Sequence, residues 1–211
     1  MTFRLGLTGS IGMGKSTTAD MFSEMGCEVW DADTAVHRLY KKDGKAIDPL
    51  SRVFPTAIIN NTVSREKLKE ILAQNPNEFD RLETIVHPLV AQDRADFIKN
   101  AKADILVFDI PLLFETQANK QMDAVACVFI DKETQKKRTL ARGTMTEAQF
   151  SQILAKQMPI DQKCALSDFV ITTDSIGHAR EQVIKILESI RTRINHACKS
   201  FRNRNHGFRP A

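Results

Sequence analysis

Five short apolar runs punctuate the chain, at Phe3 to Thr8, Cys27 to Trp30, Ile105 to Ile110, Ala124 to Ile130 and Phe169 to Thr172. Between them apolar residues recur three and four positions apart. The runs predict buried strands and the periodic stretches predict amphipathic helices. Strands alternating with helices imply an α/β fold of three layers, a five-stranded parallel sheet covered on both faces. A first helix from Lys15 to Met25 carries Ala19, Met21, Phe22 and Met25 as its core stripe. Ser64 is a predicted N-cap for a helix through Leu68, Ile71 and Leu72. A further stripe, Phe79, Leu82, Ile85 and Val86, meets Pro88 and resumes through Leu89, Val90, Phe97 and Ile98, so a kink or restart is expected at the proline. The last predicted helix, Ile176 to Ile194, turns Val183, Ile186, Leu187 and Ile190 to the sheet.

The spacing of these elements also sets the domain organisation. Residues 41–102 are too many for a plain crossover and are expected to form a helical subdomain. Residues 132–163, helical and rich in Lys, Arg and Gln, are broken at Gly143 and Pro159 and stand where a kinase carries a mobile lid. The nucleotide-binding core is then 1–40, 103–131 and 164–195, and 196–211 is a basic tail.

Composition changes this picture little. With 211 residues and 42% hydrophobic content the chain can bury a full core. No apolar run approaches the ~20 residues that span a bilayer, and the chain enters its first strand without a charged leader, so a cytoplasmic protein with no membrane partner is expected. Cys27, Cys127, Cys164 and Cys198 lack the spacing of a zinc site and are expected to be free thiols, with Cys27 and Cys127 in the core. The net charge of +4 is uneven, because the last 21 residues hold Arg191, Arg193, Lys199, Arg202, Arg204 and Arg209 and no acid, leaving 24 bases against 26 acids elsewhere. The excess belongs to a tail and not to a binding face, and no specific nucleic-acid partner is expected.

Candidate chemistry begins at Gly9-Ser10-Ile11-Gly12-Met13-Gly14-Lys15-Ser16, a complete G-x-x-x-x-G-K-[ST] string between a predicted strand and a predicted helix. Glycines at these positions let backbone N–H groups from Ser10 to Thr17 surround a phosphate chain, while Lys15 reaches the β- and γ-oxygens and the Ser16 hydroxyl faces Mg²⁺. The helix dipole adds to the same anion site.

Ligands of open α/β sheets gather at the carboxyl ends of strands, which draws attention to Asp31-Ala32-Asp33 and to Asp109. Asp33 suits a general base for an alcohol acceptor and Asp31 a supporting place near the metal. One of the two equally suits the N-cap of the next helix. Asp109 closes an apolar strand as a Walker-B aspartate does, within reach of Mg²⁺. The segment Asp109-Ile110-Pro111-Leu112-Leu113-Phe114-Glu115 ends in a carboxylate that a simple turn has no need of. Arg138 and Arg142 share a helix face and could balance charge on a transferring phosphoryl group or simply be solvated. His87, before Pro88, suits a packed or capping residue as well as a ligand.

Together these strings resemble the dephospho-coenzyme A kinase family: Gly6 to Ser16, Asp31-Ala32-Asp33, His87-Pro88, Asp109 to Glu115, Gln135 to Arg142 and Gln157, in order over about residues 3 to 190. The resemblance implies the small P-loop kinase fold and ATP- and Mg²⁺-dependent phosphorylation of the ribose 3′-hydroxyl of dephospho-CoA. It implies a catalytic base at Asp33, phosphate and Mg²⁺ contacts at Lys15 and Ser16, and a lid arginine at Arg142. It further implies a CoA-substrate role for His87 and an acceptor pocket bordered by Leu113 and Glu115. The chain departs from the family pattern at Ser10, where glycine is usual, at Gly143, where Asp is common, and at Val170-Ile171-Thr172-Thr173, where Val-Ile-Asp-Asn is usual. Another small-metabolite or nucleotide kinase of this fold is the alternative, and a monomer or weak homo-oligomer is expected. A GTP-dependent switch is disfavoured, because Asn119-Lys120-Gln121-Met122 lacks the aspartate of a guanine-reading Asn-Lys-x-Asp.

Overall fold

The structure, a computed structural model, describes the backbone of residues 2–205 and the side chains of residues 2–196. It opens with β1 (Phe3–Thr8), α1 (Lys15–Glu24) and β2 (Glu28–Asp31). Next come α2 (Ala32–Tyr40), α3 (Ile47–Val53), a hairpin of β3 (Ile58–Ile59) and β4 (Thr62–Val63), α4 (Arg65–Gln74) and α5 (Glu78–Asn100). The chain then returns through β5 (Ile105–Asp109), β6 (Ala124–Phe129), α6 (Lys132–Ala141), α7 (Glu147–Ala155), α8 (Ile160–Ala165), β7 (Phe169–Thr172) and α9 (Ile176–Asn205).

Two compact units result, one of residues 1–29 and 102–211 and one of Trp30–Ala101. In the first, the strand order is β2-β5-β1-β6-β7, with β1 parallel to β5 and β6 and β6 parallel to β7. All five residues of β5 are buried, as expected of a parallel strand covered on both faces. Leu5, Leu7, Phe22, Val107, Val183 and Ile190 belong to one core between the sheet, α1 and α9. Cys27 and Cys127 are buried there as expected, and burial pushes the Cys27 thiol up to about 11 and raises Cys127 as well. Cys164 is also a free thiol, and the Cys198 side chain lies outside the described residues.

In the second unit Leu39 and Tyr40 of α2 pack with Leu50, Phe54, Val63, Leu68 and Val86. The unit therefore begins at Trp30 and takes in α2, eleven residues before the expected boundary at 41. Ser64 caps α4 as predicted, its hydroxyl accepting from Lys67 N–H. Asp93 accepts from the Trp30 indole N–H at 2.8 Å and from both Nη2 (2.5 Å) and Nε (3.1 Å) of Arg38. Those charge-assisted bonds, Arg38 above all, hold the Asp93 carboxyl below its ordinary range against the opposing effect of burial.

Two expectations are corrected. Of the two outcomes expected at Pro88, the restart is excluded, since α5 is continuous from Glu78 to Asn100 with Pro88 inside it. The last helix does not stop at Ile194 but continues to Asn205, so the tail placed at 196–211 begins as helix. Among the described residues no helix is long and apolar enough to cross a membrane.

Candidate active site

Register places the chemistry. Leu7 pairs with Asp109 across the sheet, so the loop that leaves β1 and the carboxylate that ends β5 emerge side by side. Lys15, at the start of α1, forms an ion pair with the nearly buried Asp109. The sequence assigned Lys15 to phosphate and Asp109 to metal; without a ligand each neutralises the other. Gly14 is the N-cap of α1 at φ 85° and no side chain caps the helix, which leaves the first-turn N–H groups facing outward. Ser16 and Thr17 on that turn are exposed.

The loop is held from behind. Gln135 of α6 donates from Nε2 to Ile11 O at 2.7 Å, and Gln157 Oε1 accepts from Ile11 N–H at 3.2 Å. Both backbone groups of Ile11 are thereby engaged by side chains from the predicted lid region. Gly12, at φ 76°, admits no side chain: a Cβ there would lie 2.0 Å from Thr139 Oγ1. Met13 is buried in the core and its N–H bonds Ser10 O, while Ser10 is itself buried. Ser10, Ile11 and Met13 thus shape the loop, the N–H groups of Ile11 and Met13 being engaged within the protein. Gln135 and Thr139 are buried, so α6 is docked against the loop.

Arg138 donates to Thr173 O at 2.8 Å and to Asp174 O at 3.1 Å. Thr173, which stands where the family carries Asn, donates its hydroxyl to Met13 O at 2.8 Å. The replacement is a strut under the loop. Arg142 is exposed, and Gly143, at φ 65°, ends the helix directly after it with N–H bonded to Leu140 O. An open cavity of about 310 Å³ is bounded by Gly12, Gly14, Thr17, Arg138, Arg142 and Thr173 and continues along Asp174 to Ile176. Its rim combines two guanidinium groups with the uncapped end of α1, a setting for polyanions.

The Asp109 to Glu115 segment is anchored on the same unit. Leu113 is fully buried, with its Cδ2 only 2.9 Å from where a Cβ on Gly6 would stand. It is a core residue, and Leu112 beside it is exposed. Glu115 Oε1 accepts from Met158 N–H at 2.8 Å and pairs with Lys163 at 2.9 Å. Burial opposes ionisation of Glu115, but the Lys163 and Met158 bonds outweigh it and its pKa falls below the ordinary carboxylate value.

The remaining predicted residues belong to the second unit. Asp31 is the N-cap of α2, its Oδ1 accepting from Thr34 N–H at 2.5 Å. Asp33 is exposed in the first turn of that helix. His87 is exposed on α5, 3.8 Å from Glu83.

The family model for dephospho-CoA kinase matches residues 3–178. The chain is a member of the dephospho-CoA kinase family. A relative of that name from Ruegeria pomeroyi is 63% identical over 93% of this chain and 100% of its own length. Among solved structures, a dephospho-CoA kinase from Campylobacter jejuni is similar at TM-score 0.66 and 25% identity, over 90% of this chain and 98% of the other. TT1252 from Thermus thermophilus is similar at TM-score 0.81 and 26% identity, over 89% and 97%. Family membership makes the chain a kinase and the expected five-stranded α/β fold is the one observed.

The sequence offers Gln135 and Gln157 only as parts of matched strings and Thr173 only as a departure, and it does not single out Lys163. Each is a polar side chain that acts on a backbone group distant in sequence, and only the fold reveals such partners.

Proposed function

We propose that this chain transfers the γ-phosphoryl group of ATP to the ribose 3′-hydroxyl of dephospho-CoA, giving coenzyme A and ADP, the last step of coenzyme A synthesis. The observation that carries the reading is the joining of Lys15, Asp109, the uncapped α1 and Arg142 around one loop in a chain matched by the family model over residues 3–178. The triphosphate lies along α1 and draws Lys15 from Asp109 to its β- and γ-oxygens. The nucleoside extends into the cavity beside Thr17, Arg138 and Thr173 to Ile176. Arg142 balances negative charge on the phosphoryl group in flight.

Among the described residues no group of three or more acidic, His or Cys side chains is assembled to hold a metal alone. One strand-end carboxylate and one hydroxyl suit an ion that keeps most of its other ligands as water and substrate phosphate, which fits Mg²⁺. Ser16 and Asp109 would hold it, with Asp31 in a supporting role, and when bound it supplies charge neutralisation on the phosphates. Asp33 takes the proton of the acceptor hydroxyl. His87 contacts the CoA substrate and Glu115 borders its pocket. Closure of the exposed lid residues around α7 excludes water, and we infer a cytoplasmic enzyme, monomeric or weakly oligomeric.

A coupled ADP-release assay with dephospho-CoA, adenosine, AMP and shikimate as acceptors tests the reading. Release is expected with dephospho-CoA; activity only with another acceptor overturns it. Asp33→Asn is expected to lower kcat by about 10²- to 10⁴-fold while ATP binding persists. Near-normal turnover would remove Asp33 from its role as base.

A further inference from the structure

One short segment ties the phosphate loop to the segment that ends in Glu115. Gln157 accepts from Ile11 N–H at 3.2 Å, and the next residue, Met158, donates its N–H to Glu115 Oε1 at 2.8 Å. Five residues on, Lys163 reaches back into the same place. Its ammonium donates to Pro111 O at 2.8 Å and pairs with Glu115 Oε1 at 2.9 Å, and its side chain is fully buried. The Pro111 carbonyl also accepts from Thr8 Oγ1, at the end of β1, at 3.1 Å. One carbonyl is therefore fixed both from the root of the phosphate loop and from α8.

A buried ammonium is costly to desolvate, and packing alone would be served as well by an apolar side chain of the same length. What the ammonium adds is direction. Two bonds from one nitrogen set the distance between Pro111 and Glu115, and Pro111 lies two residues from Asp109, the partner of Lys15. A shift of the segment would thus misalign its Glu115 end against the phosphate site.

We propose that Lys163 is a positioning residue for phosphoryl transfer, holding the Pro111–Glu115 segment in register with the phosphate loop so that acceptor and donor stay aligned. The inference rests on the proposed reaction, in which that segment borders the acceptor pocket. Lys163 acts through Pro111 and Glu115 and touches no reacting atom.

The test compares Lys163→Met with the double variant Lys163→Met/Glu115→Gln, in which the stranded carboxylate is also neutralised. Thermal midpoint, nucleotide affinity by calorimetry, and kcat and KM for both substrates are measured. The double variant is expected to recover the midpoint lost by the single one. In both, kcat is expected to stay about 10- to 100-fold below wild type, with ATP affinity nearly unchanged and KM for dephospho-CoA raised. Recovery of kcat together with stability would overturn the proposal, because Lys163 would then only balance charge. Parallel loss of ATP affinity and kcat would overturn it too. Should the single variant fail to fold, the double variant and Lys163→Arg, which keeps the charge but alters the bond geometry, carry the same comparison. Wild-type turnover of dephospho-CoA is read first: its absence sinks the proposed reaction, whereas normal turnover with no such split in the variants sinks the role of Lys163 alone.

Discussion

Lys15 and Asp109 show at the scale of single residues how two charges at the end of a strand are kept stable. Each would be a poorly solvated charge alone; paired, they balance. Thr173 works in the same economy of backbone groups. Its hydroxyl satisfies Met13 O at 2.8 Å and lies 3.3 Å from Phe129 O, so it fastens the loop to the end of β6. Thr173→Val preserves shape and removes the donor, leaving a buried carbonyl unsatisfied at a cost of about 1–3 kcal/mol. Urea denaturation is expected to show that loss, and KM for ATP is expected to rise as the loop loosens. A variant with unchanged midpoint and unchanged KM would show that Thr173 is merely a tolerated substitute for the usual Asn.

At the scale of elements, α5 asks how a 23-residue helix accommodates Pro88. The proline removes one intrahelical N–H and crowds the carbonyl four residues back, a cost of up to about 3 kcal/mol in a helix interior. Leu82, Ile85, Val86, Leu89 and Val90 pack against the second core on both sides of the proline, and that packing keeps the helix whole. Pro88→Ala is therefore expected to raise the unfolding free energy measured by denaturant titration by about 1 kcal/mol or more; a fall would mean that the proline is fitted to its neighbours. Periodicity placed α5 and left a kink or a restart open at Pro88; tertiary packing overrode the local breaker and excluded the restart. The same reading located β1 and β7 to the residue and could not see β3 and β4, whose two residues each carry no alternation. The phosphate loop was legible because its chemistry is local: glycines, lysine and serine act within eight consecutive positions. Lys163 was not, since in sequence it is one more lysine in a basic stretch, and its partners Pro111 and Glu115 lie 52 and 48 positions away. The resemblance placed Leu113 at the border of the acceptor pocket, and its side chain is buried in the turn that follows β5.

Over the whole molecule, each unit relies on a carboxylate that the fold keeps ionised. In the first, Lys163 and the Met158 N–H outweigh burial to lower the pKa of Glu115; in the second, Arg38 and Trp30 lower that of Asp93. A carboxyl whose folded pKa is depressed binds fewer protons folded than unfolded, so stability rises with pH in that window. The contribution is complete above the ordinary values, 4.5 for Glu115 and 3.8 for Asp93, and is lost as the pH falls through the depressed folded ones. Acid should therefore weaken both cores over the same window, as each carboxylate loses its charge. Thermal midpoints measured from about pH 7 to pH 3 are expected to fall most steeply below about pH 5. Glu115→Gln and Asp93→Asn should each start lower at neutral pH, having lost an ionic partner, and then fall less steeply with acid than wild type. Slopes parallel to wild type in both variants would show that these two carboxylates do not carry the acid sensitivity of the fold.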